Sequence, residues 1–543
     1  MFVSNLCSVI VSLSAFGLYK FTFSLLTLKP STMLTLAVVF VLFVAVYLYG
    51  TRTFKYWEKR GIKHDKPIPF FGNNSRMYLW KKSMTQIGVE MYWKYPKEKV
   101  VGFYRAMRPE LVIRDPEIIK RIFVSDFGYF HMRGINTHKT VIEPMAKNLF
   151  LVEGDVWKLL RQRMTPAFTS GKLKAMFPLI VERAERLQNH AINAPTTGRV
   201  LDSREIMARY TTDFIGACGF GLEMDSLSVE NSSFRQLGID IFKFEVSLIV
   251  KQMLKEMFPE ACKHFKVFGK LENDANALVN NILKKRNYEP CGRNDFIDLL
   301  LECKKKGKIV GQSIELTKPS GAPEEVSLEL TDELMVAQVM VFFGAGFETS
   351  SSSTSYTLHE LAYNPEEQQK VQEEIDRVLA KYDNKLCYDA VSEMSYLHCA
   401  FKEGIRMFPS LGHLVRKCTR KYTFPDIDLT IDEGVSIYIP VQALHMDPQY
   451  FDEPEKFKPG RFLTDFINPM TKNIYLPFGE GPRACIGERL GLMQSLAGLA
   501  AVLSRYSVEP APETLRCPKI DPTSNIVQNV IGGLPLMFKL RSK

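Results

Sequence analysis

Leu476-Pro477-Phe478-Gly479-Glu480-Gly481-Pro482-Arg483-Ala484-Cys485-Ile486-Gly487-Glu488-Arg489-Leu490 is the stretch on which the reading of this 543-residue chain turns. One cysteine sits among Gly479, Gly481 and Gly487, and an apolar helical pattern follows over 490–503. Glycines carry no Cβ, so backbone can approach a sulfur with its N–H groups aimed at it. The N-terminus of the following helix adds positive potential. Both effects favour a thiolate. A large flat metal cofactor fits such a surface, and Arg483 could pair with its carboxylates. On spacing alone, a glycine-rich turn around a buried structural cysteine is an equally open reading.

Working outward, Ala345-Gly346-Phe347-Glu348-Thr349 lies inside a long apolar helical pattern from about Asp332 to Tyr363. A glycine in a helix interior costs about 0.5–1 kcal/mol relative to alanine, which suggests that something approaches the backbone there. Glu348 and Thr349 place an acid and an alcohol beside that opening, a pair able to relay protons. A kinked helix with a polar face, extended by Ser350–Ser353, is the plain alternative. Glu403-Gly404-Ile405-Arg406 sets an acid and a base at i and i+3 on one helical face. Pro409 ends that helix, Gly404 weakens it, and Lys458-Pro459-Gly460-Arg461 follows some fifty residues later. Trp157 and Arg161, spaced i and i+4, can reach one ligand from one face. A Trp packed on an Arg stem reads equally well there.

Composition narrows the class. Hydrophobic residues make up 46% and charged residues 24%, which excludes a disordered chain, a collagen and a disulfide knot. The 70 Lys+Arg exceed the 60 Asp+Glu by only 10, so nothing here calls for nucleic acid; an acidic membrane surface or protein partner fits as well. The 10 cysteines are scattered without a C-x-x-C pair, as in a reducing compartment. Helical periodicity dominates, for instance over 180–192, 334–361 and 365–382, with β-like runs near 100–114 and 422–440. The expected fold is one large, mainly helical unit with small β-sheets, an α+β chain. Residues 304–328, polar and containing Gly and Pro, read as a surface loop.

The N-terminus is a membrane signature. Met33–Tyr49 carries no charge and comes close to the ~20 residues that cross a bilayer. Arg52, Lys55, Lys59, Arg60, Lys63 and Lys66 follow at once, which puts the rest of the chain on the cytoplasmic side. Lys66-Pro67-Ile68-Pro69 stiffens what comes next. The expected division is therefore a hydrophobic extension without an assigned role (1–32), a membrane anchor helix (33–50), a basic and proline-rich hinge (51–72) and one domain (73–543). An N-x-S site at Asn231 would report the orientation.

The pattern F-G-x-G-x-R-x-C-x-G around Cys485 is similar to the haem-binding loop of cytochrome P450 enzymes, and the likeness extends over about residues 33–540. The detailed wording of FGAGFETSSSS and PFGEGPRACIGERLGLMQS, with the 304–328 insertion, resembles insect microsomal P450s of the sixth family. The resemblance implies the cytochrome P450 fold and haem b with Cys485 as its axial thiolate and metal ligand, which favours O–O cleavage. It implies that Phe478 shields the sulfur, that Gly479 and Gly487 shape the loop, and that Ala345 and Gly346 border the haem. Arg483, Trp157, Arg161 and Arg416 would bind the haem propionates, and Glu348 and Thr349 would serve oxygen activation. Glu403, Arg406 and Arg461 would form a buried structural network. The implied activity inserts one atom of O2 into lipophilic compounds such as plant toxins or insecticides, or endogenous lipids or hormones. Electrons would come from NADPH through a separate NADPH–cytochrome P450 reductase, with cytochrome b5 as a further partner. Lys158, Arg163, Lys417, Arg420 and Lys421 would form a basic docking face. The implied location is the cytoplasmic face of the endoplasmic reticulum membrane. A haem-thiolate isomerase or lyase, and a haem-containing binding protein without turnover, are the competing readings.

Overall fold

The longest helix, Asp332–Tyr363, runs through the main hydrophobic core. Its start is written locally. The Thr331 side chain accepts from the Leu334 N–H, and Asp332 and Glu333 sit at the positive end of the helix. Pro365 opens the next helix, Pro365–Ala380, immediately beyond it. The computed structural model describes residues 30–192, 198–227, 232–243, 245–293, 295–463, 469–524 and 526–542. Most of the expected extension, residues 1–29, and the Asn231 site lie outside them.

Two neighbours of the long helix explain two glycines. A Cβ on Gly346 would lie 2.4 Å from Ile215 Cδ1 on the adjacent helix Ser203–Phe220. The Thr211 hydroxyl of that helix donates to the Phe347 carbonyl at 3.0 Å. Close helix packing thus accounts for Gly346, and the opening inferred from it is filled by Ile215. A Cβ on Gly404, in the helix Ser395–Met407, would lie 2.4 Å from Thr357 Oγ1. Gly404 therefore lets this helix approach the long one. Helix propensity alone predicts that Gly404→Ala stabilises by about 1 kcal/mol. Overpacking opposes this with about 1–3 kcal/mol. We expect a net loss of stability, read as a lower denaturant midpoint.

The sheets are small. Strands Val100–Arg105 and Arg108–Ile113 form an antiparallel hairpin with Val100 opposite Ile113. Arg108–Ile113 then pairs parallel with Ser436–Ile439, which pairs antiparallel with Leu414–Lys417. This sheet carries Arg416 toward the cysteine loop. A three-stranded sheet joins Tyr506–Pro510, Pro535–Leu540 and Arg199–Asp202. Residues 304–328, expected as a surface loop, hold an antiparallel hairpin, Ile309–Thr317 with Pro323–Leu328. Pro319 and Gly321 mark its turn; Ile309 and Ser313 are buried, and Ser313 bonds Asp155 on the helix Gly154–Met164.

The anchor helix spans Pro30–Thr51, beginning three residues before the expected 33. Its apolar side chains face outward, with Leu34, Phe40 and Phe43 each about two-thirds exposed. The long core helix also passes a length and hydropathy test for spanning, but it is mostly buried. Of these two helices among the described residues, the N-terminal one presents an outward apolar surface, consistent with membrane association. The stretch 51–72 is packed rather than free. Trp57 is fully buried and donates from Nε1 to the Phe103 carbonyl at 2.9 Å, while Arg60 pairs with Asp432 at 2.6 Å.

Three desolvated histidines, of which His359 and His445 are fully buried, make the fold sensitive to acid. Desolvation pushes His445 and His413 down to about 3 and His359 down to about 4, from an ordinary 6.5. Between those values and 6.5 the unfolded chain binds protons that the folded chain refuses, so stability falls as pH drops below about 6.5. The expected slope is at most about 1.4 kcal/mol per pH unit for each histidine. Urea titrations at pH 7 and pH 5 would read it.

Candidate haem-thiolate site

The cysteine loop closes on itself. Cys485 N–H donates to the Phe478 carbonyl at 2.8 Å, and Ala484 N–H to the Gly481 carbonyl at 3.0 Å. Gly479 and Gly481 have φ of 72° and 73°, in the left-handed region that favours glycine. A Cβ on Gly481 would stand 1.9 Å from the Phe123 carbonyl oxygen, so no other residue fits there. Gly487 begins the helix Glu488–Leu503, and its N–H points at the Cys485 thiol. Phe478 packs against the main core.

Cys485 carries open surface, yet desolvation raises its thiol above the ordinary range, opposed by the Gly487 N–H and by Arg161 and Arg133. Both hold together when a side chain lines an interior space. Ala345 shows the same sign: it is exposed although Phe343, Gly344 and Phe347 around it are buried. Thr349 lies one turn further on this face, and its hydroxyl donates to the Ala345 carbonyl at 2.7 Å. Gln494, on the helix after Cys485, reaches the Gly346 carbonyl at 3.4 Å and ties the two elements together. Phe342 instead stacks on Phe296 at 4.3 Å, so it belongs to a different side of the helix.

Four arginines converge on the loop. Arg161 donates to the Ala484 carbonyl at 2.8 Å, Arg133 to the Arg483 carbonyl at 3.2 Å, and Arg483 to the Val152 carbonyl at 3.0 Å. The Arg483 guanidinium lies over the Trp157 ring at 4.2 Å. Arg416 is 2% exposed and donates only to its neighbour's carbonyl, that of Val415. Among the described residues none of the four has a carboxylate partner. Nε and Nη1 of Arg483 and Nε of Arg416 are buried without any hydrogen-bond partner. Burial, with the neighbouring arginines, pushes Arg483 down to about 8 and Arg416 well below its ordinary value. Burying unpaired like charges is costly, so this cluster is built for an anion. A flat metal cofactor with carboxylate arms, ligated by Cys485, fits the donor set. Arg416→Met should accordingly stabilise the cofactor-free chain by about 1 kcal/mol or more. The same change should speed cofactor loss; paired melts with and without haem would show the opposite signs.

The remaining expected residues fall into two groups. Glu403, Arg406 and Arg461 meet as anticipated: Glu403 accepts from Arg406 Nε at 2.8 Å and from Arg461 Nε at 3.0 Å. Arg406 also holds the His445 carbonyl at 2.7 Å, and His445 Nε2 accepts from the Leu476 N–H at 2.9 Å, at the root of the cysteine loop. Glu348 is paired with Arg204, which also donates to the Ser351 hydroxyl at 2.7 Å. Sequence reasoning missed Arg204, which lies 144 residues away on another helix and carries no motif. By sequence Arg133 is a further candidate propionate arginine outside the expected set, because its loop aligns only loosely with the family's pattern. Of the expected basic face, Lys417 is half-buried and lowered by desolvation, and Arg420 lies over the Tyr129 ring at 4.3 Å.

Known proteins resemble this chain over most of its length. The family model described as Cytochrome P450 matches residues 63–533. Cytochrome P450 6B6 of Helicoverpa armigera is 37% identical over 499 residues, covering 90% of this chain and 95% of that protein. Cytochrome P450 6a2 of Drosophila melanogaster is 37% identical over 510 residues, covering 90% and 96%. Cytochrome P450 6k1 of Blattella germanica is 35% identical over 511 residues, covering 93% and 96%. A match spanning most of the chain, together with a glycine-framed cysteine beside four uncompensated arginines, establishes that the chain belongs to the cytochrome P450 family of haem-thiolate monooxygenases.

Proposed function

We propose that this chain is a membrane-anchored oxygenase that inserts one atom of O2 into lipophilic small molecules, with electrons from NADPH delivered by a separate reductase and assisted by cytochrome b5. The observation that carries it is Cys485, framed by glycines and surrounded by arginines that lack carboxylate partners. Haem b held there would supply the oxygen chemistry and the bond cleavage. The protein's own contributions are specific. Cys485 would hold the haem iron through a thiolate, favoured by the Gly487 N–H and the helix end behind it. Arg161, Arg416, Arg483 and Arg133, with Trp157, would hold its carboxylate arms. Ala345 and Thr349 border the space above the thiolate, and Phe478 screens the sulfur.

Glu348 and Thr349 supply an acid and an alcohol one residue apart. The Arg204 partner keeps the Glu348 carboxylate in place; released from Arg204, it would take up a proton from solvent and pass it toward Thr349. Apolar walls suit a lipophilic substrate. Residues 73–543 act as one domain. Lys158, Arg163, Arg420 and Lys421 steer an acidic reductase. The basic run after the anchor supports a cytoplasmic orientation of the domain, at the endoplasmic reticulum membrane. The plant toxins and insecticides handled by enzymes of this kind are the substrate class to screen first.

The test is reconstitution with reductase in lipid. Consumption of lipophilic substrate that requires both NADPH and reductase supports the proposal. Rearrangement of organic peroxides without either would favour an isomerase or lyase. Ligand binding without turnover would favour a binding protein.

A further inference from the structure

The hairpin Ile309–Leu328 does more than cover surface. Two-stranded hairpins are marginal on their own. This one packs against the helix Gly154–Met164, which bears Trp157 and Arg161. The N-cap residue of that helix, Glu153, makes no side-chain cap bond. The start of the helix is held from outside instead. Asp155 accepts from the Ser313 hydroxyl at 2.7 Å and from the Ile314 N–H at 2.6 Å. Ser313 is 4% exposed and itself accepts from the Leu316 N–H at 2.7 Å, which fixes the bulged strand.

Three more contacts point the same way. Gly154 has φ +59°, and a Cβ there would lie 2.4 Å from a Glu315 carboxylate oxygen, which sits at the positive end of the helix. A Cβ on Gly311 would lie 2.8 Å from Leu159 Cδ2, so the strand backbone lies directly on the helix. Glu315 is also 3.8 Å from Nε2 of the buried His131, two residues before Arg133. The hairpin therefore touches both the helix that carries Arg161 and the segment that carries Arg133.

We propose that this hairpin is a brace for the carboxylate-binding side of the site, with Ser313, Asp155 and Glu315 as positioning residues that hold Trp157 and Arg161 ready for the cofactor. The proposal rests on the haem reading above. It predicts that loosening the hairpin loosens the helix first and shortens cofactor retention second.

The experiment compares Ser313→Ala, Ser313→Thr, Asp155→Ala and a chain in which residues 310–327 are replaced by a two-residue turn. Direct pairing of Ile309 with Leu328 permits that closure. Hydrogen exchange of the amides in 154–164 is read in the cofactor-free chain, and haem transfer to excess apomyoglobin is read in the loaded one. Losing a hydrogen bond to a charged group should raise both rates about tenfold in Ser313→Ala and Asp155→Ala. Ser313→Thr, which keeps the hydroxyl, should restore both. Exchange and haem loss within about twofold of wild type in folded Ser313→Ala and Asp155→Ala would overturn the proposal. If the shortened chain does not fold, these two point variants decide. If wild type takes up no haem, the haem reading fails, while the exchange measurement still decides whether the hairpin braces the helix.

Discussion

Cys485→Ser is expected to leave the chain folded and to abolish oxygenase turnover. Serine fills nearly the same volume, and the loop does not depend on sulfur for its shape. The Cys485 N–H bond to Phe478, the positive φ of Gly479 and Gly481 and the contact of Gly481 with Phe123 all belong to backbone. What disappears is the thiol of the glycine-framed loop beside Arg161 and Arg133. A serine hydroxyl stays protonated where a thiolate forms, so the electron donation that favours O–O cleavage goes with it. Turnover with reductase should fall to background while far-UV circular dichroism and the thermal midpoint of the cofactor-free chain hold.

The second large effect is structural. Glu403→Ala should cost about 3–5 kcal/mol, because it leaves buried guanidinium groups without a counter-charge. Glu403 and Arg406 are fully buried, and Glu403 also accepts from Arg461 and from the Lys458 N–H at 2.9 Å. Against a typical total stability of about 5–15 kcal/mol, that loss is about a fifth of the whole or more. The damage should reach the site as well. Arg406 holds the carbonyl of His445, neutral His445 accepts from the Leu476 N–H, and Leu476 opens the cysteine loop. Glu403→Ala should therefore show a lower urea midpoint and poor haem loading together. A variant that melts like wild type would remove the network from the account.

Chemistry was more legible in this sequence than packing. The cysteine loop, the acid–alcohol pair and the E-x-x-R face are local patterns, and local geometry follows from local chemistry. Their meeting points are not local. Arg204 finds Glu348 across two helices, and nothing in either segment announces the pair. Glycines misled in one consistent way. Gly346 and Gly404 looked like an opening and a weakness, because propensity is read along one helix. Each is a contact between helices, with Ile215 and Thr357. The 309–328 hairpin was hidden for a related reason. Its alternation is broken by a bulge, and its burial comes from Asp155 and Leu159, more than 140 residues earlier.

The most direct test of the central claim, that Cys485 ligates haem as a thiolate, is the carbon monoxide difference spectrum of the reduced protein. The account predicts the strongly red-shifted Soret band that marks thiolate ligation in wild type, and its absence in Cys485→Ser. A wild-type spectrum without that band, or a Cys485→Ser spectrum that keeps it, would contradict the assignment.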